Sequence, residues 1–153
     1  MSEFFALLHP PLTSFPFVLL WIVVILDLVG YFTKRDLHKL SVVFSAAALG
    51  AAFLAYQSGH QASQHASITF VVADEVIGEH FLWAKIGLFA LVTTVIFKVV
   101  GQFAKFNKVI FKSIAGILAV ASAVIFSFVG HLGGKLVFEH GAGVKAKVQI
   151  PAE

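Results

Sequence analysis

Four apolar runs, at about residues 13–32, 40–59, 81–103 and 109–131, dominate the chain, with polar residues gathered between them. Each run reaches the roughly 20 residues that a helix needs to cross a bilayer. The third helix is predicted to start before its apolar run, with Asp74 as N-cap and Glu75 in the first turn, where negative charge suits the helix dipole. The fourth is predicted to run on into "GHLGGKLVFEHG", where Gly133, Gly134 and Gly141 weaken or end it. The predicted spans are then about 13–32, 40–59, 76–103 and 109–138 of a single integral membrane domain.

The stretch "LHPPLTSFPF", residues 8–17, precedes the first run. Pro10 and Pro11 are expected to interrupt the helix and push His9 to extended geometry. Thr13 or Ser14 would then cap a helix whose first turn tolerates Pro16. Upstream, "EFFALL" is short and aromatic and is expected in the headgroup region.

Composition agrees with the pattern. Of 153 residues, 59% are hydrophobic and 12% charged, and the mean hydropathy is +0.93. A soluble domain averages roughly 45–50% apolar and about 25% charged residues. The first run lacks the basic n-region and small-residue cleavage site of a removable signal peptide. The pattern leaves no room for a separate soluble domain.

Charge adds an orientation. Lys34, Arg35 and Lys39 lie between spans one and two, and Lys98, Lys105, Lys108 and Lys112 around the third-to-fourth connection. The connection 59–79 has no Lys or Arg but carries Asp74, Glu75 and Glu79. The positive-inside rule places the basic loops in the cytoplasm and both termini outside, with Lys135, Lys145 and Lys147 counting mildly against. The expected fold is therefore all-α: a four-helix transmembrane bundle of antiparallel up-down topology, with both termini extracytoplasmic. Asp27 falls near the inner end of span one, where Arg35 or Lys39 is expected to neutralise it.

Two spans carry small residues at helical spacing. In span two these positions are Ala47, Gly50, Ala51, Leu54 and Ser58; in span four they are Gly116, Ala119, Ala123, Ser127, Gly130 and Gly134. Such stripes suit close helix contact, and a flat cofactor lying against backbone needs the same small residues.

Candidate chemistry rests on histidine. The chain has no cysteine, and its one methionine is Met1. Thioether-linked haem, thiolate clusters and blue-copper thiolates are excluded. Of seven histidines, His9, His60, His65, His80, His131 and His140 fall on the outer side, and His38 lies in a basic loop opposite. His80 and His131 are expected within helices at similar depth, and bundles build cofactor sites from side chains on facing helices. A haem b fits this set, with His80 and His131 as axial ligands. Phe81, Trp83, Phe126 and Phe128 would wall the ring, and Lys85 or Lys135 would meet the propionates. His140 lies roughly 13 Å beyond His131 at ~1.5 Å per residue, so it would serve a second haem with His9, while His60 is an alternate ligand and His65 solvated loop. Two further readings stand beside haem. One is a zinc or copper ion on three or four imidazoles; the other has no cofactor, with interfacial histidines bonding headgroups, water or carbonyls.

The opening "LHPPLTSFPF", the "EHFLWAKIG" start of span three and the closing "GGKLVFEHGAGV" together resemble a bacterial four-helix inner-membrane family, domain of unknown function 2231. The likeness runs from about His9 to Val144, and "GGKLVFEHGAGV" is its most specific part. Members typically carry a second histidine directly before the Phe-Pro, where this chain has Ser14, which removes one ligand. The resemblance implies a four-helix bundle with outward polar ends, suspected of haem binding and membrane redox work. The expected function is a b-type haem protein of the bacterial inner membrane that carries electrons near the extracytoplasmic face. Its expected partners are the lipid bilayer, other membrane redox subunits or an extracytoplasmic cytochrome, and a quinone. As an enzyme it would be at most an electron-transfer component. The alternative is a cofactor-free structural or assembly subunit of a respiratory or photosynthetic complex. Nothing in the pattern suggests nucleic-acid binding, and mid-membrane charge is too scarce for an alternating-access transporter.

Overall fold

The computed structural model describes residues 2–105 and 107–144, which form four helices and no strand. These are α1 (Ser2–Thr33), α2 (His38–Phe70), α3 (Asp74–Phe103) and α4 (Lys108–Phe138), each long and apolar enough to cross a membrane. At 30 to 33 residues they measure about 45–50 Å, against a hydrocarbon core about 30 Å thick, so helical ends stand clear of the apolar layer. Lys145 and Lys147, the tail lysines weighed in the orientation, lie outside the described residues.

Packing is most extensive between α1 and α2 and between α3 and α4, and contacts of α1 with α4 and of α2 with α3 close the ring. The core is built from small side chains: Ala48, Ala52, Ala119 and Ala123 meet Leu20, Val23, Val24, Leu91 and Phe126. Many large apolar residues point the other way, with Phe89, Ile117 and Phe103 at least 70% exposed. Water would make this arrangement unfavourable, whereas acyl chains solvate the large residues and small ones let the helix backbones approach.

Several sequence expectations change. First, α1 runs unbroken through Pro10, Pro11 and Pro16. Pro10 and Pro11 lie in the exposed early turns of α1 and Pro16 is buried further along it, and Thr13 Oγ1 donates to the Pro10 carbonyl at 2.7 Å. Second, α2 does not stop at 59. The polar residues 60–70 continue it, with the Ser63 hydroxyl bonded back to the His60 carbonyl, and His65 is helical rather than a loop residue. The connection shrinks to Val71–Ala73, with Val71 left-handed at φ 55° and the Val72 N–H returning to the Ala66 carbonyl at 3.3 Å. Third, Ala73 rather than Asp74 occupies the N-cap of α3; the Asp74 carboxylate instead accepts the Ser67 hydroxyl at 2.8 Å.

The small-residue stripes shift in phase. On α2 the buried face is Ser41, Ser45, Ala48, Ala52, Ala55 and Ser58, while Ala47, Gly50 and Leu54 are exposed. On α4, Ala119 and Ala123 pack as expected, but Gly116 and Gly130 face open space.

The largest change concerns charge. Lys98 belongs to no loop; it lies inside α3, 1% exposed. Its Nζ donates to Asp27 Oδ2 at 2.6 Å and to Ser41 Oγ at 2.7 Å, and the Ser41 hydroxyl donates to Asp27 Oδ1 at 2.7 Å. Asp27 is thus neutralised by Lys98, not by Arg35 or Lys39, which are both exposed. His38, expected in a loop, is the buried first residue of α2, and its Nε2–H donates to the Lys98 carbonyl at 3.0 Å. Outside the spans, Lys112 Nζ donates to Asp36 Oδ1 at 3.3 Å and ties the first turn to α4. That bond, then the Lys112 charge and the His38 backbone N–H, hold the Asp36 carboxyl below its usual range. A depressed carboxyl contributes stability above its unfolded value and loses it as pH falls through the folded one.

Two predictions follow from this packing. Lys98→Met alone leaves the Asp27 carboxylate without its counter-charge and is expected to cost about 3–5 kcal/mol. Adding Asp27→Leu should recover most of that loss in thermal unfolding followed by helicity in mild detergent. Equal losses in the single and double variants would mean that the ion pair does not hold the helices. Val71 is 85% exposed and left-handed; Val71→Gly should therefore gain about 1 kcal/mol, read as a higher unfolding midpoint.

Candidate functional site: an imidazole pair

His9 projects from α1 immediately before Pro10 and Pro11, and its ring crosses to α2. His9 Nδ1 lies 2.9 Å from the Ala55 carbonyl oxygen and 3.2 Å from Ser58 Oγ, while the Ser58 hydroxyl donates to the same carbonyl at 2.9 Å. A carbonyl only accepts, so Nδ1 carries the proton and Nε2 presents its lone pair. Gly59 makes room for the ring, since an added Cβ would stand 2.9 Å from His9 Cε1.

His80, on the second turn of α3, meets His9 at right angles, with ring centroids 6.3 Å apart and an interplanar angle of 88°. A Cβ at Gly133 of α4 would touch His80 Cε1 at 3.4 Å, and the Val129 carbonyl is the ring's backbone partner. His80 Nδ1 is buried and makes no hydrogen bond among the described residues. Four helices thus converge here: α1 and α3 supply imidazoles, and α2 and α4 supply carbonyls and glycines.

The chemistry of this pair is ligation or proton exchange. Metal-bound histidines characteristically donate their second ring N–H to a carbonyl, which is the bond that His9 makes with Ala55. Two imidazoles sharing one metal ion, with bonds of about 2 Å and about 1 Å more from nitrogen to ring centre, stand about 6 Å apart. The His9–His80 spacing matches. His80 Nδ1 and His9 Nε2, neither hydrogen-bonded among the described residues, are imidazole donors of the type that a haem iron takes. Among the described residues no group of three or more His, Cys, Asp or Glu converges as a metal set.

The other candidates lie elsewhere. His131 is exposed on α4 with its ring against Phe128, at 6.3 Å between centroids; the imidazole that meets His80 is His9. The expected partner of His80 is His131, whose ring the structure places on the exposed side of α4. On α4 the buried positions are Phe126, Val129 and Leu132, and His131, one residue from Leu132, is turned about 100° from it. His140 follows the end of α4, exposed, in a groove with Val76, Glu79, Leu132 and Lys135, whereas the ring against His9 is that of His80. His60 is exposed, with Phe81 at 6.4 Å, and the Thr69 hydroxyl lies 3.2 Å from His65 Nδ1.

The expected propionate partners already have neighbours. Lys85 Nζ lies 4.9 Å above the Phe81 ring, and Lys135 pairs with Glu139 at 3.7 Å. Of the expected aromatic wall, Phe81 stacks on Tyr56 at 5.0 Å and Trp83 meets Phe128 at 4.9 Å, whereas Phe126 fills the space over Gly87. Sequence reasoning missed Ala55, Ser58 and Gly59 as the groups that seat His9. The signal available was the run "AYQSGH", in which a hydroxyl and a glycine stand side by side on one helix.

The model of a family described as predicted membrane protein (DUF2231) matches residues 6–146. No curated protein and no solved structure matches the chain.

Gly59→Ala is expected to push the His9 ring off the Ala55 carbonyl. It should lower the thermal midpoint and open His9 to imidazole-directed acylation in detergent. Gly50→Ala, whose added Cβ meets nothing within 4 Å, should leave both readouts unchanged.

Proposed function

The chain belongs to the DUF2231 family of predicted membrane proteins, and we propose that this member is a b-type haem-binding electron carrier of the bacterial inner membrane. His80 and His9 hold the haem iron near the extracytoplasmic face, with His131 and His140 outside the ligand set. The observation that carries this reading is the half-buried His9–His80 pair, 6.3 Å between ring centres, with a ring nitrogen of each left without a hydrogen bond among the described residues. Bound haem supplies reversible one-electron chemistry. The Ala55 carbonyl and Ser58 hydroxyl orient His9, and the Val129 carbonyl and Gly133 seat His80.

The bundle is read as antiparallel and up-down, with its basic turns cytoplasmic and both termini outside. In support, His9 early in α1 meets the second half of α2 at Ala55 and Gly59 and meets His80 early in α3, which in turn meets Gly133 late in α4, while Asp27 late in α1 meets Ser41 early in α2 and Lys98 late in α3. The partners of this function are the bilayer, neighbouring membrane redox subunits or an extracytoplasmic cytochrome, and a quinone.

A second reading has one observation of its own. The paired imidazoles are closely packed, and two concavities, one near Ser67 and Asp74 and one near Glu79 and His140, are lined by neither His9 nor His80. That packing suits a cofactor-free subunit of a larger respiratory or photosynthetic membrane complex.

A dithionite-reduced minus air-oxidised spectrum of haem-supplied protein, with a pyridine haemochrome count, separates the two. The electron-carrier reading expects a b-type α-band and about one haem per chain. His9→Ala and His80→Ala should each abolish it, and His131→Ala should retain it. A flat spectrum from folded, haem-supplied protein would overturn the electron-carrier reading and leave the cofactor-free one ahead, with metal analysis next.

A further inference from the structure

The end of the bundle opposite the imidazole pair carries a charge pattern that neither reading uses. Lys34, Arg35 and Lys39 lie in and after the α1–α2 turn; Lys105, Lys108 and Lys112 lie in and after the α3–α4 turn. The acidic residues at this end, among the described residues, are Asp36 and Asp27. Asp27 is taken by Lys98, and Asp36 is bonded to Lys112. Lys34, Arg35, Lys39, Lys105 and Lys108 are all exposed, and none has an acidic partner among the described residues.

The Asp36–Lys112 bond brings the two turns to one place, so cations from both face the same surface. Apolar side chains rim that surface. Tyr31, Phe32, Phe103 and Val109, at the adjoining helix ends, are 69–79% exposed, and Lys34 Nζ lies 4.8 Å above the Tyr31 ring. Aromatic rings beside lysines mark the depth at which a membrane chain leaves the hydrocarbon. A ligand for this surface must offer phosphate-like negative charge to the cations and acyl chains to the rings at once. A soluble acidic protein or a nucleic acid offers only the first.

We propose that this end is a binding surface for anionic phospholipid headgroups, gripped jointly by Lys34 and Arg35 of one turn and Lys105 and Lys108 of the other. The opposite end does not share the property. Among the described residues, Asp74, Glu75, Glu79 and Glu139 outnumber Lys85 and Lys135 there, so the preference falls on the leaflet at the basic end. Basic residues beside a membrane surface each strengthen attachment to anionic lipid by roughly fivefold.

The test is lipid retention by the full chain in native mass spectrometry, comparing phosphatidylglycerol with phosphatidylcholine. The wild-type protein is expected to keep phosphatidylglycerol preferentially. Lys34→Gln, Arg35→Gln, Lys105→Gln and Lys108→Gln together should cut that preference by at least about tenfold, with the Asp36–Lys112 tether left intact. Lys85→Gln with Lys135→Gln should leave it unchanged. Should the fourfold variant fail to fold, raised salt on the wild-type protein replaces it and should weaken the preference by screening. Three results would overturn the proposal: no preference in the wild type, an equal loss in the Lys85/Lys135 variant, or full displacement of the lipid by inorganic phosphate. The last would make the surface a free-phosphate site.

Discussion

An ammonium buried in hydrocarbon is tolerable only beside a counter-charge with its remaining hydrogen-bonding groups satisfied. Lys98 meets that condition with Asp27 and Ser41, and meeting it decides how the helices stand. The lysine comes from α3, the carboxylate from α1, and the serine that binds both from α2. The registers of these three helices are set together, because sliding any one by a turn (about 5.4 Å) would break the contacts. Around the triad the bundle supplies further local polar closure. His38 caps the Lys98 carbonyl, Ser45 bonds within α2, and Thr94 meets Ser122 at 3.0 Å across α3 and α4.

With register fixed at that end, the far end follows. α1 and α3 are diagonal neighbours that approach chiefly through side chains, in the Asp27–Lys98 pair and the His9–His80 pair. Between these polar sites lies an apolar section of Leu20, Val23, Leu91 and Phe126 with alanines. The molecule therefore has two chemically different ends joined by a rigid, close-packed middle. Charge compensation occupies one end and uncommitted ring nitrogens the other.

What was legible in the sequence was whatever composition and length decide. The four spans, the early start of α3 near Asp74, the small-residue contact at Ala119 and Ala123 and the closing turn at Gly141 could all be read from residue type and spacing. Helical phase was not legible. In a soluble helix, polar residues mark the outward face; here lipid solvates that face, so both faces are apolar and a shift of one residue goes unnoticed. That is why His131 is a plausible inward ligand by sequence yet lies on the exposed side, and why the α2 stripe falls one position from its expected place. Lys98 was misread for a related reason. A lysine near the end of an apolar run looks like a loop residue until Asp27, 71 positions away, is seen to stand opposite it. The helix also runs unbroken through Pro10 and Pro11, with His9 just before them held against α2 by contacts that local rules do not include.

The division of small side chains inward and large ones outward bears on how such a chain drifts over generations. Lipid-facing Phe89 and Ile117 touch a fluid that conforms to any apolar shape, so selection there sees only hydrophobicity. Inward positions such as Ala48, Ala119 and Ala123, at 0% exposure, have no fluid to yield, so selection there sees volume. Descendants of this chain should therefore keep their alanines and serines while exchanging their phenylalanines and isoleucines freely, the reverse of the expectation for a protein folded in water.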